Sequence, residues 1–196
     1  MMSRSRKSPP DFTFDNLEER GRLQFFYHSP SSSLPVRDVL GEQGHGRKTE
    51  PHLEERAENY CNECLQKQSI VPFLKSHEKY LFLYTRCKSK ASEVEKFRNR
   101  PFVVGYIVKE RALHRSKKAK EWWAVQGEMR LYSFEDGYPL QDLIGPVRIR
   151  GFKKLNSRQS ARILDRFSQK RNIYLRCLRE LERLKKGRPS SNRRCK

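Results

Sequence analysis

The chain has 196 residues, 35% of them apolar and 34% charged, with a formal net charge of +20 and a pI near 10.1. That length allows one domain with appendages or two small ones, built on a modest core. No stretch approaches eighteen apolar residues, and Met1 to Pro10 is basic and polar, so neither a membrane-spanning helix nor a secretory leader is expected.

The charge is unevenly placed. Residues 1–87 carry a net +1, residues 88–121 +7, residues 122–147 −3 and residues 148–196 +15. Single-sign bias of this size points to a polyanionic partner, nucleic acid first and an acidic membrane surface second. Five cysteines, an odd count without a secretory signal, predict reduced thiols and an intracellular, cytoplasmic setting.

Residues 1–22 read as a basic, largely disordered segment. Leu23-Gln24-Phe25-Phe26-Tyr27-His28 predicts a strand cut off by Ser29-Pro30, followed by loops at 31–35 and at the glycine-rich 41–49. Residues 51–75 predict a helical insert, with Leu53, Ala57, Tyr60, Cys61, Cys64 and Leu65 at helical spacing and Pro72 ending or bending it.

The densest apolar patterning lies in residues 80–149. Strands are expected at Tyr80-Leu81-Phe82-Leu83-Tyr84-Thr85, at Phe102-Val103-Val104-Gly105-Tyr106-Ile107-Val108 and at Trp122-Trp123-Ala124-Val125. Two more are expected at Met129 to Phe134 and at Pro146-Val147-Arg148-Ile149-Arg150. The segment 88–100 reads as a short helix or charged loop, and 109–121 as a basic connector. Residues 157–186 predict basic helices, with Asn156-Ser157 as N-cap, Asn172 as an interruption and Gly187-Arg188-Pro189 as a stop before a basic, disordered tail at 187–196. The whole predicts a single α+β domain over 23–186: a small curled antiparallel β-barrel packed by N- and C-terminal helices.

Four patterns bear on chemistry. Cys61-x-x-Cys64 can chelate zinc if two more ligands, with His52, His77 and Cys87 as candidates, complete the set, or it can be a pair of packed core thiols or a redox pair. A structural zinc is therefore the one cofactor to test. Aromatic residues interleaved with Arg and Lys suit single-stranded nucleic acid, whose bases stack on rings while cations hold phosphates. Because neighbours in a strand face opposite sides, only one of Trp122 and Trp123 can enter a core. Candidate phosphate contacts are Arg111, Arg115, Lys117 and Lys118 before the Trp pair, and Arg148, Arg150, Lys153 and Lys154 after the strands. Glu128, Glu135, Asp136 and Asp142 could hold a divalent metal for nuclease chemistry, but Asp136-Gly137 reads more economically as a turn. His28 and His114 have no Ser, Cys or Asp partner at an informative spacing, and there is no glycine-rich phosphate loop.

Phe25-Phe26-Tyr27-His28-Ser29 is similar to the strand with a Tyr-His-Ser-like edge in EVE domains. Val103-Val104-Gly105-Tyr106-Ile107 is similar to their central strand, and Glu135-Asp136-Gly137-Tyr138-Pro139-Leu140 to a loop leading into a Pro-Leu segment. The chain thus resembles the PUA-like superfamily, in its EVE and ASCH branches, with the insert at 34–79 as a departure. The resemblance implies a curled barrel with flanking helices that recognises RNA or a modified base without catalysis. It places Tyr84, Thr85, Tyr106 and one of Trp122 and Trp123 in a groove, with Arg86 on a phosphate. A nucleic-acid-binding module is the leading reading. A metal-dependent nuclease or nucleotide-modifying enzyme, and a basic adaptor or ribonucleoprotein-associated protein, are the alternatives.

Overall fold

The computed structural model describes residues 16–38, 49–50, 67–117, 120–145 and 153–186, with the backbone alone given for 38, 49–50, 67–69, 113–117 and 120–122. The predicted strand at 146–150, Arg148 and Arg150, the basic tail and most of the 51–75 insert lie outside these residues. The chain is α+β. Among the described residues its main sheet has six strands in the order β10 (Lys153–Leu155), β1 (Glu18–Phe25), β4 (Glu78–Arg86), β5 (Pro101–Val108) and β8 (Met129–Leu131), with β9 (Tyr138–Pro139) also paired to β5. Two small ladders stand apart: β2 (Arg37–Asp38) with β3 (Thr49–Glu50), and the hairpin of β6 (Arg111–Lys117) and β7 (Lys120–Gln126).

Several features differ from expectation. The sheet follows one open path and does not close into a barrel among the described residues. It is mixed rather than antiparallel, because β1 runs parallel to β4, Phe25 opposite Tyr84. The basic connector before the Trp pair is the strand β6, whose partner among the described residues is β7, Arg111 opposite Gln126 and Lys117 opposite Lys120. Its charged sequence hid a strand that is held by backbone pairing. The N-terminal strand lies in this sheet and spans Glu18–Phe25 rather than residues 23–28.

Both faces of the sheet are buried. On one, Leu81, Leu83, Val104 and Ile107 pack against Ile70, Phe73 and Leu74 of α1 (Lys67–Leu74), Trp123 and Val125 of the hairpin, and Cys177 and Leu181 of α4 (Tyr174–Lys186). On the other, Leu23, Phe82, Tyr84 and Val103 meet Leu140 and Leu143 of α2 (Leu140–Ile144) and Ile163 and Phe167 of α3 (Ser157–Ser168). Two-sided burial explains why β4 and β5 read as continuous apolar runs instead of alternating ones. Asn156 caps α3 with a complete capping box to Gln159. Asn172 separates the two helices, its Oδ1 accepting from Tyr174 N at 3.0 Å and from Leu131 N of β8 at 3.0 Å.

Pro72 does not end α1, which runs to Leu74. The carbonyls at its C-terminal end are met by buried cations. Lys109 Nζ donates to Phe73 O at 3.0 Å and to Ser76 O at 2.6 Å, and Arg22 Nη2 reaches Pro72 O at 3.4 Å. Arg22 also forms a buried ion pair with Glu78, whose second support is Ser76 Oγ at 2.6 Å. Cations at a helix C-terminus are favoured by the carbonyl dipoles.

The strand β5 carries a bulge. Leu83 faces Gly105 and Tyr84 faces Val103, so Val104 is the extra residue. At this point β8 lies so near that a Cβ on Gly105 would run into the Arg130 carbonyl and the Leu131 side chain. Gly105→Ala is therefore expected to cost about 1–3 kcal/mol. The check is the denaturant midpoint, and an unchanged midpoint would contradict this packing.

Candidate nucleic-acid interface

One transverse row crosses four strands on the α2–α3 face of the sheet. Phe25 pairs with Tyr84, Tyr84 with Val103 and Val103 with Tyr138. At its outer end the row is open to solvent. Phe25 is 37% and Tyr27 57% exposed, and with Leu175 they are the exposed large hydrophobics among the described residues. The Phe25 and Tyr27 rings meet edge to face at 4.9 Å, and Phe25 lies 5.4 Å from the Tyr84 ring. Arg37 sits over Tyr27 at 5.0 Å, and Arg162 of α3 over Tyr138 at 5.6 Å at the other end. Arg86, two residues beyond Tyr84 and exposed, follows on the same face. The Tyr84 hydroxyl is buried and has no hydrogen-bond partner among the described residues, and burial pushes its pKa up to about 12.

A single imidazole organises the loop that leaves this aromatic end. His28 is buried, accepts Lys88 N–H at Nδ1 (2.9 Å), and its Nε2 lies 2.8 Å from the Leu34 carbonyl. With Nδ1 accepting, Nε2 carries the proton and donates, so the ring is neutral with both nitrogens used. Phe134 packs edge-on against it at 4.9 Å. His28 thereby ties the end of β1 to the segment after β4 and to residue 34. It is a positioning group, as an isolated histidine at a strand end suggests.

The residues expected to line a groove divide. Tyr84 and Arg86 belong to the row. Thr85 does not reach the surface: it is fully buried and its hydroxyl donates to Phe26 O at 2.7 Å. Tyr106 is half-buried among Tyr80, Phe82, Tyr132 and Phe167, the last two stacked at 4.0 Å, and so helps to fill the α3 side of the core. Trp123 is the inward tryptophan, 5% exposed. The side chains of Trp122, Arg115 and Lys117, and all of Lys118, lie outside the description. Arg111 and Lys154 are exposed and Lys153 is half-buried; Arg111 opens the hairpin, while the lysines sit on the edge strand β10.

The carboxylates are met by separate cations. Glu128 pairs with Arg130 at 2.7 Å, Glu135 with Lys96 at 3.4 Å and Asp136 with Lys170 at 3.4 Å, and Asp142 is exposed on α2. Residues 134–137 form the expected turn, with Ser133 Oγ 2.9 Å from Asp136 Oδ2 and Gly137 N donating to Ser133 O. Among the described residues no three His, Cys, Asp or Glu side chains group as metal ligands would. Cys61, Cys64 and His52 lie outside that set, His77 is exposed, and Cys87 is fully buried in the core, where desolvation raises its thiol pKa. No helix of the described residues is long and apolar enough to cross a membrane.

Comparison of the chain with protein families, with curated proteins and with solved structures gives no match. The interface therefore rests on its own geometry. Phe25, Tyr27 and Arg37 were not among the residues the sequence singled out for binding. Their signal is the alternation at the end of β1, where Phe26 and His28 are buried while Phe25 and Tyr27 face out.

The state of His28 gives a pH signature. Burial holds its pKa at about 4, against 6.5 for an ordinary imidazole. Between these values the unfolded chain binds more protons than the folded one, so stability present above pH 6.5 is lost as pH falls towards 4. A shift of this size corresponds to roughly 3 kcal/mol. Denaturant midpoints measured from pH 7 to pH 4 should fall, and His28→Gln, less stable at neutral pH, should show a flatter profile. Parallel profiles for the two proteins would contradict a buried neutral ring.

Proposed function

We propose that the chain is a non-catalytic nucleic-acid-binding protein of PUA-like type that takes a single RNA strand, or a modified base within one, at the aromatic end of its sheet. The observation that carries this reading is the solvent-open pair Phe25 and Tyr27, bordered by Arg37 and Arg86, in a chain of net charge +20. Exposed rings offer a stacking surface that tolerates any base, and the guanidinium groups neutralise phosphates. The PUA-like kinship is part of the proposal and rests on the strand segments around Phe25 to Ser29 and Val103 to Ile107. RNA is favoured over duplex DNA because the bases of an unpaired strand can be splayed onto rings.

Stacking is worth ~1–3 kcal/mol per base. The double variant Phe25→Ala/Tyr27→Ala should therefore bind a fluorescein-labelled single-stranded RNA at least tenfold more weakly at moderate salt, by anisotropy, with its far-UV circular dichroism unchanged. Undiminished affinity in a folded variant would remove the aromatic pair from the interface and the proposal with it.

A further inference from the structure

A second basic feature, on the basic C-terminal helices expected from the sequence, lies on the other side of the loop that follows Tyr27. Leu34, Arg176, Arg179, Glu180 and Arg183 line an open groove of about 420 Å³ between that loop and α4. The three arginines fall at i, i+3 and i+7, one face of a helix whose opposite face buries Tyr174, Cys177 and Leu181. Their spacing along the axis is about 4.5 Å and then 6 Å at 1.5 Å per residue.

The arginines are not equivalent. Arg183 is held by Glu180, with Nε and Nη2 each 2.7 Å from a carboxylate oxygen, and its Nη2 also lies 3.3 Å from Ser31 O. That pairing lowers the Glu180 pKa and keeps the carboxylate ionised. Arg183 is thus fixed as part of the wall and anchors α4 to the loop. Arg176 and Arg179 are exposed and neither forms an ion pair among the described residues, the Arg179 Nε having only a 3.4 Å contact to Leu175 O on its own helix. The groove therefore presents two guanidinium groups that form no ion pair among the described residues, beside the apolar wall of Leu34 and with its one carboxylate, Glu180, engaged by Arg183.

The same loop borders both features. Leu34 lines the groove and its carbonyl meets His28, while three residues on Arg37 covers the Tyr27 ring. We infer that the α4 groove is a phosphate-binding subsite. It holds the sugar-phosphate backbone of the strand whose bases stack on Phe25 and Tyr27, with Arg176 and Arg179 as the contacting cations. The inference rests on the function proposed above. Guanidinium groups suit this ligand because they meet phosphate oxygens in a fixed fork. Such contacts are blind to sequence, and each contributes ~0.7 to the slope of log affinity against log salt for a single strand.

The test is anisotropy with labelled single-stranded RNAs of two unrelated sequences, over a salt series, on the full chain and on Arg176→Ala/Arg179→Ala. Both substitutions are at exposed positions and thermal melts control for folding. The expected result is a tenfold or greater loss for both sequences at low salt, with the salt slope shallower by about 1 to 1.5. Glu180→Gln, which removes the groove's carboxylate, should strengthen binding at low salt. If the wild-type chain binds RNA and loses affinity in Phe25→Ala/Tyr27→Ala, but the arginine variant keeps both affinity and slope, the groove is not the subsite and the aromatic interface stands. If the wild-type chain binds neither RNA, both readings fall.

Discussion

The C-terminal end of α1 is met by two buried cations, and this arrangement holds the middle of the fold together. Arg22 comes from β1, Glu78 from the start of β4 and Lys109 from the residue after β5, so one charge cluster joins three adjacent strands and the helix above them. Lys109 is only 1% exposed, and burial pulls its pKa down to about 8, but it retains two carbonyl acceptors. A buried charge with one partner removed typically costs ~3–5 kcal/mol. The Arg22–Glu78 pair also ties β1 to β4, which run parallel with Phe25 opposite Tyr84.

That register carries through to the opposite end of the sheet. Once Phe25 is fixed beside Tyr84, the chain leaves β1 with Phe26 and His28 turned inward, and Phe25 and Tyr27 are left facing solvent. The His28 hydrogen bonds then determine the course of the loop, bringing Leu34 against α4 and Arg37 over Tyr27. A neutral, doubly bonded imidazole suits this role because it supplies one donor and one acceptor to backbone groups that would otherwise be buried unpaired. The basic surface and the aromatic end are thus two consequences of one chain path.

The elements legible in the sequence are those whose local pattern and tertiary fate agree. β4 and β5 are continuous apolar runs because helices cover both faces, and α3 announces itself through the Asn156 cap and the spacing of Ile163 and Phe167. β6 was not legible, since a strand whose only apolar residues are Ala112 and Leu113 looks like a solvated connector until its partner β7 is known. Nor was the parallel pairing of β1 with β4, which depends on a long crossover between them. At the site, composition could point to aromatics and arginines but could not sort them. With both sheet faces buried, Tyr106 and Trp123 fill the core as readily as they could face a ligand, and only the alternation at 25–28 separates outward rings from inward ones.

The central claim is that an aromatic end, and not charge alone, recognises an unpaired strand. The most direct measurement is the affinity of the nuclease-treated protein for single-stranded RNA, duplex RNA and duplex DNA across a salt series. The account predicts that single-strand binding persists at moderate salt while duplex binding falls away steeply. Equal affinity for all three, lost in parallel as salt rises, would contradict it and leave only the basic surface engaged.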